Sequence, residues 1–107
     1  MGNIMSGVRL IIQFTADSVA TADAAIAEAT ERCKRVQQEP GCIQFEVFRS
    51  TLTPEKYVLM EHWDSKESLA VHGQRMAANP PPRNPSITRV REDYEHAEVP
   101  APAPAAR

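Results

Sequence analysis

Proline divides this chain into the stretches that can form regular structure. No proline precedes Pro40, the next is Pro54, and the other seven lie between Pro80 and Pro104. Proline has no amide hydrogen and a fixed φ angle, so it interrupts helices and central strands. Regular structure is therefore predicted between these positions.

The chain has 107 residues, which is enough for one hydrophobic core and hence for one domain. We place this domain at residues 8–96, after an N-terminal extension of residues 1–7. Residues 97–107 include three prolines and five alanines but only one larger aliphatic residue, Val99. They can bury very little surface and are predicted to be a tail.

Four stretches alternate apolar and polar side chains, as strands do, and two others repeat apolar side chains at helical spacing. The predicted elements are a strand at residues 8–14, a helix at 21–38, strands at 42–49 and 56–63, a helix ending near 78 and a strand at 86–94. Ser18 or Thr21 is predicted to cap the first helix. Asp64, with Glu67 three residues later, is predicted to cap the second. The charged last strand is predicted to lie at a sheet edge.

The order βαββαβ predicts an α+β fold of the ferredoxin-like type, with four antiparallel strands and two helices on one face. The third strand carries large apolar residues on both faces. Tyr57, Leu59 and Trp63 lie on one face, and Val58 and Met60 lie on the other. Whichever set the helices leave uncovered would form a large exposed patch. We therefore expect a homodimer joined sheet to sheet, enclosing apolar space for a small ligand.

The charge balance argues against nucleic acid as a partner. Lysine and arginine total 12 and aspartate and glutamate total 14, which gives a net charge of −2 and no basic excess to attract phosphates. No apolar run is long enough for a membrane span, and residues 1–7 lack the pattern of a secretory signal. Cys33 and Cys42 are too few for a disulfide scaffold, so we expect a reduced, cytoplasmic protein.

Three features of the sequence occur together in one known family. They are the turn Glu39-Pro40-Gly41-Cys42 before a strand, a strand that ends Glu61-His62-Trp63, and His72 nine residues after that tryptophan. In this order they resemble the antibiotic biosynthesis monooxygenase family, over about residues 8–94. The resemblance implies the dimeric α/β-barrel form of the ferredoxin-like fold.

Members of that family differ in function: some oxidise polyketide phenols or quinols with oxygen and without metal or flavin, and others degrade haem. The resemblance implies a cofactor-independent monooxygenase that uses molecular oxygen on a small phenolic or quinol-like aromatic. The alternative is a dimeric barrel that binds a small hydrophobic metabolite without catalysis. Haem degradation is disfavoured. The haem-degrading members carry an asparagine in the first strand and an iron-ligating histidine late in the second helix, whereas residues 9–14 and 74–78 contain neither.

His72 is the first candidate catalytic residue. Leu69, His72 and Met76 share the apolar stripe of the second helix, which predicts that His72 faces the sheet. A neutral imidazole there can accept a proton from a phenolic substrate. The alternative is a packed histidine, hydrogen-bonded to a backbone carbonyl or to a carboxylate.

Glu61 is the second candidate, because it shares a strand face with aromatic residues. Its carboxylate should pair with Arg89 or Arg91 or take up a proton. It could orient His72 or bind a substrate hydroxyl. The alternative is a structural ion pair or hydrogen-bond acceptor at the end of the sheet.

The predicted substrate-binding residues are Trp63, Tyr57, Leu59 and Met76. The two aromatic rings could stack on a flat substrate or could belong to the core. No metal site is predicted because the histidines lack ligand spacing, and no nucleotide cofactor because no glycine-rich loop is present. Cys33 and Cys42 are interpreted as small apolar residues rather than nucleophiles.

Overall fold

The structure, a computed structural model, describes residues 5–97. Its elements are β1 (Met5–Ala16), α1 (Val19–Val36), β2 (Cys42–Arg49), β3 (Lys56–Trp63), α2 (Lys66–Ala78) and β4 (Ile87–Ala97). This order confirms the predicted βαββαβ arrangement. The predicted tail lies outside the described residues except for Ala97, and so does most of the predicted N-terminal extension.

The four strands form one antiparallel sheet in the order β2-β3-β1-β4. β4 lies at an edge, as its charged sequence predicted. β1 and β4 are longer than predicted because their pairing continues past the apolar alternation, to Ala16 opposite Ile87 and to Met5 opposite Ala97. Backbone hydrogen bonds form this ladder, and they require no apolar side chains.

Serine side chains cap both helices. Ser18 Oγ accepts a hydrogen bond from the backbone amide of Thr21 at the start of α1, which confirms one of the two predicted caps. The prediction that Asp64 caps α2 is wrong by one residue: Ser65 is the N-cap and accepts from the amide of Ser68 at 3.0 Å. Asp64 instead accepts a hydrogen bond from the hydroxyl of Ser68 at 2.6 Å. No helix within residues 5–97 is long and apolar enough to cross a lipid bilayer.

Both helices pack on the same face of the sheet. α1 lies against β1, β2 and β3, and α2 lies against β1 and β3. The main core cluster consists of Val8, Leu10, Ile12, Cys33, Val36, Phe45, Leu59 and Trp63. A second cluster contains Ala16, Ala22 and Tyr57. Burial of each large apolar side chain contributes roughly 1.5–3 kcal/mol, so the helices cover the face of β3 that carries the larger side chains.

The uncovered face of the sheet carries Val58 and Met60, the second of the two sets that the sequence left open. Met60 lies opposite Ile11 of β1. Val58 lies opposite Phe48 of β2, whose side chain is 42% exposed. Val90 of β4 is 60% exposed on the same face. A single chain therefore leaves an apolar strip across all four strands in contact with water.

Candidate active site

His72 lies on the side of α2 that faces the sheet, as its place in the helical repeat predicted. Its side chain is buried, with 6% of the residue exposed. The imidazole stacks on the indole of Trp63, with ring centroids 4.7 Å apart and an angle of 29° between the planes. The ring of Phe45 meets it edge-on at 5.5 Å. Two aromatic rings from the sheet thus fix the plane of the imidazole.

Glu39 holds the ring nitrogen Nδ1 of His72. The Nδ1 atom lies 3.1 Å from the carboxylate oxygen Oε1 of Glu39. The guanidinium of Arg75, one turn further along α2, donates to the same oxygen at 2.8 Å. A packed histidine bonded to a carboxylate is the alternative to a catalytic role that the sequence left open. The bond uses Nδ1 and leaves Nε2 for another partner.

The sequence predicted no role for Glu39 or Arg75 at the site. In the sequence Glu39 is part of a turn, and it lies 33 residues before His72 and 36 before Arg75. Their opposite charges are the only signal in the sequence, and no helical or strand spacing connects residues that far apart.

The turn between α1 and β2 brings Glu39 to α2. Gly41 has a φ angle of +82°, a conformation that glycine adopts without strain. A Cβ atom at this position would overlap the side chain of Ser68, so the turn lies directly on the first turn of α2. The carbonyl of Gly41 also accepts a hydrogen bond from the backbone amide of Asp64 at 2.8 Å. Glu39 therefore reaches His72 from a turn fixed at two points.

Glu61 lies beside Trp63 on the covered face of β3 and is 4% exposed. Its carboxylate accepts a hydrogen bond from the indole Nε1 of Trp63 at 2.8 Å. The predicted ion pair with Arg89 or Arg91 is not formed, because Arg91 bonds to Asp93 at 2.8 Å instead. Burial raises the pKa of the Glu61 carboxyl above its ordinary value of 4.5, although the hydrogen bond from Trp63 opposes this shift.

The structure brings three of the predicted site residues together. Glu61, Trp63 and His72 are joined by the indole hydrogen bond and the ring stack. Leu59 lies in the main core cluster with Trp63. Tyr57 is not part of this group: it lies in the second cluster, where its ring stacks on Phe14 at 4.8 Å.

The three joined residues lie between the helices and the sheet. They do not lie on the uncovered face, where a sheet-to-sheet dimer would enclose its ligand space, so that space and this group are separate. Met76 lies half-buried on α2. Because His72 already covers one face of the Trp63 ring, a flat substrate cannot stack there.

The sequence model of the antibiotic biosynthesis monooxygenase family matches residues 7–78, which include Glu39, Glu61, Trp63 and His72. The chain belongs to this family. The match runs from β1 to the end of α2 and leaves β4 outside. No curated protein sequence matches the chain.

Solved structures share the fold. A protein from Deinococcus radiodurans assigned to the antibiotic biosynthesis monooxygenases has a TM-score of 0.72 and 20% identity, covering 91% of this chain and 99% of its own. A Caulobacter crescentus protein with the same assignment has a TM-score of 0.61 and 21% identity, covering 88% and 93%. The heme-degrader of Mycobacterium tuberculosis, solved with two hemes bound in its active site, has a TM-score of 0.66 and 21% identity, covering 88% and 99%.

Both cysteines of this family member lie near the site, and neither has the character of a nucleophile. Burial raises the pKa of the Cys42 thiol to about 11, and the negative charges of Glu61 and Glu39 add to the effect. Burial also raises the pKa of the Cys33 thiol. A thiolate is the reactive form of cysteine, so both side chains act as core residues. Within residues 5–97, no three His, Cys, Asp or Glu side chains converge as metal ligands would.

A surface cavity of about 360 Å³ lies at the start of α2. It is lined by Gly7, Asp64, Ser65, Lys66, Glu67 and Glu95. Neither His72 nor Trp63 contributes to its wall, so this cavity is not the place where His72 would meet a substrate.

Proposed function

We propose that this protein is a cofactor-independent monooxygenase that oxidises a small phenolic or quinol-like aromatic with molecular oxygen. Family membership supports the reaction class. The observation that carries the proposal is the buried His72, which is bonded through Nδ1 to a carboxylate and has Nε2 free of that bond. A histidine with an unprotonated Nε2 can accept a phenolic proton.

In the proposed reaction the substrate supplies the electrons. His72 Nε2 accepts the phenolic proton, and the electron-rich anion transfers electrons to oxygen with formation of a carbon–oxygen bond. The resulting hydroperoxide loses water as its oxygen–oxygen bond breaks, which leaves a quinone carbonyl. One phenol and one oxygen molecule thus give one quinone and one water, and the proton held by His72 leaves with that water.

The surroundings of His72 suit this role. Trp63 is fully buried and Phe45 nearly so, and together they shield the imidazole from bulk water. Exclusion of water strengthens electrostatic interactions at the reacting atoms and protects a peroxide from side reactions. The carboxylate of Glu39 would balance the positive charge that His72 gains on accepting the proton.

Oxygen uptake by the purified protein with a panel of quinols tests this proposal. We expect uptake by the wild type, and a loss of about 10²-fold or more in both His72→Ala and His72→Phe. The phenylalanine variant keeps a stacked ring but has no proton acceptor. His96→Gln, which removes an imidazole on the uncovered face, is the control and should retain the rate. No uptake by the wild type, or equal uptake by the His72 variants, would overturn the proposal.

The proposed assembly is a homodimer joined through the uncovered faces of two sheets. The apolar strip formed by Ile11, Phe48, Val58, Met60 and Val90, which Gln13 interrupts between Val58 and Val90, supports it, because soluble monomers rarely expose large apolar patches. Burying this strip in a dimer interface would remove apolar surface from water and so stabilise the folded protein.

The second candidate function is binding of a small hydrophobic metabolite without catalysis. Its support is the same hydrogen bond from His72 to Glu39, which a purely structural histidine would also make. Trp63 is the only tryptophan, so its fluorescence reports binding directly. Quenching by a quinone, without oxygen consumption on any quinol, would select this function.

A further inference from the structure

We infer that Glu39 is a positioning residue, which places the single proton of the neutral His72 ring on Nδ1 and leaves the lone pair on Nε2. This inference deepens the proposed function. The catalytic use of that lone pair rests on the proposed function. The tautomer itself is a property of the protein without substrate.

The argument begins with hydrogen-bond chemistry. A carboxylate only accepts hydrogen bonds, so the Nδ1 atom at 3.1 Å from Glu39 must carry a hydrogen. A neutral imidazole has one N–H group, and with that group on Nδ1 the remaining nitrogen is an acceptor. Nε2 is therefore the only ring atom of His72 that can take up a proton.

Arg75 holds the carboxylate in this position. Its guanidinium donates to the same Oε1 atom that His72 contacts, at 2.8 Å. The Glu39 side chain is 20% exposed and that of His72 is 8% exposed, so the hydrogen bond lies largely away from water. The Arg75 side chain is 50% exposed, so Arg75 is the residue of the three that lies nearest to solvent.

The aromatic rings prevent His72 from turning away from Glu39. Trp63 lies against one face of the imidazole at 4.7 Å, and the indole is itself held through its hydrogen bond to Glu61. In hydrolases, a carboxylate behind a histidine sets the tautomer in the same way, and replacing it with an amide lowers turnover by about 10⁴-fold. The arrangement here has the same elements in a different fold.

The test is the pair of imidazole ¹⁵N chemical shifts of His72 in the substrate-free protein, assigned with His72→Gln. We expect a protonated Nδ1 and an unprotonated Nε2 in the neutral form. A proton on Nε2 with none on Nδ1 in the neutral form would overturn the inference. This measurement uses the wild type and does not depend on how any Glu39 variant folds.

Three variants separate positioning from a purely structural ion pair. Glu39→Leu removes the acceptor and should shift His72 toward the Nε2–H tautomer. Glu39→Gln places an amide beside Nδ1, and because its NH₂ group can donate to that nitrogen, this variant should also shift His72 toward the Nε2–H tautomer. Arg75→Gln breaks the ion pair but leaves the hydrogen bond of His72, so its tautomer should be kept. An unchanged tautomer in Glu39→Leu would contradict the inference.

Turnover then links the tautomer to the reaction. We expect Glu39→Leu and Glu39→Gln each to lower kcat by about 10-fold or more with little change in KM. Equal turnover by Glu39→Leu and the wild type would contradict the positioning role. If the ¹⁵N shifts agree but the wild type consumes no oxygen, the tautomer assignment stands and the proposed function fails.

Discussion

At the scale of single residues, Glu61 is the least ordinary feature of this protein. It is a carboxylic acid buried between helix and sheet, where its partner is the indole N–H of Trp63 rather than an arginine. A buried acid without an opposite charge favours its neutral form. Burial accordingly raises the pKa of Glu61, so the folded protein holds a proton that the unfolded chain releases at lower pH.

This difference gives a pH-dependent prediction for Glu61→Gln. As pH rises from 4.5 to the raised pKa, the folded state binds more protons than the unfolded state, so the wild type loses stability in this window. Glutamine keeps the acceptor for Trp63 but does not titrate. As pH rises from 4.5 through the raised pKa, the variant should gain stability relative to the wild type by about 1.4 kcal/mol for each unit by which the pKa is raised. Denaturant unfolding followed by Trp63 fluorescence measures this difference.

Glu31→Gln is the matched control for that experiment. Glu31 is exposed on α1, and its hydrogen bond with Lys34 lowers the pKa of its carboxyl. The control should therefore lose stability relative to the wild type as pH rises, by a small amount because water screens the pair. The same sign in both variants would contradict the account of Glu61.

The sequence predicted some of these residues and missed others for physical reasons. Helical periodicity places His72 toward the sheet, and strand periodicity places Glu61 beside Trp63, because both are local patterns. The contact between Glu39 and His72 depends on how a turn packs against a distant helix. Local patterns carry no information about such a contact.

At the scale of elements, the turn before β2 connects the fold to the candidate site. Gly41 allows this turn to lie on the first turn of α2, and Glu39 then contacts His72. The sequence predicted the turn from its proline and glycine. It placed the cap of α2 at Asp64 instead of Ser65, because two adjacent residues can both cap a helix and only packing decides between them.

Two alanine substitutions test the role of this turn. Gly41→Ala should lower the free energy of unfolding by about 1–3 kcal/mol, because alanine is strained at a φ of +82° and its Cβ meets Ser68. Gly73→Ala should raise it by about 0.5–1 kcal/mol, because Gly73 lies inside α2 with nothing near its Cβ position. Denaturant unfolding measures both, and equal effects would refute this role of the turn.

At the scale of the whole molecule, packing decides which face of the sheet is covered. The pattern of β3 predicted two apolar faces without ranking them. The helices cover Tyr57, Leu59 and Trp63, and leave Val58 and Met60 on the face proposed for dimerisation. This choice also places the candidate site inside each protomer, away from the space between the two sheets.

The proposed dimer gives a prediction for Phe48→Glu. A charge at the β2 end of the apolar strip should raise the dimer dissociation constant at least about 10-fold, because burying an unpaired charge is costly. Leu52→Glu is the control, since Leu52 is 92% exposed in the turn between β2 and β3. Light scattering over a dilution series measures both. A wild type that is monomeric throughout would contradict the assembly.

Isotope labelling tests the central claim, that the protein is a monooxygenase, most directly. The protein is supplied with ¹⁸O₂ and a quinol that it consumes, and the product is examined by mass spectrometry. The account predicts one ¹⁸O atom in each quinone formed, with the second oxygen atom released as water. A product without the label, with oxygen recovered as hydrogen peroxide, would show simple oxidation of the quinol and contradict the claim.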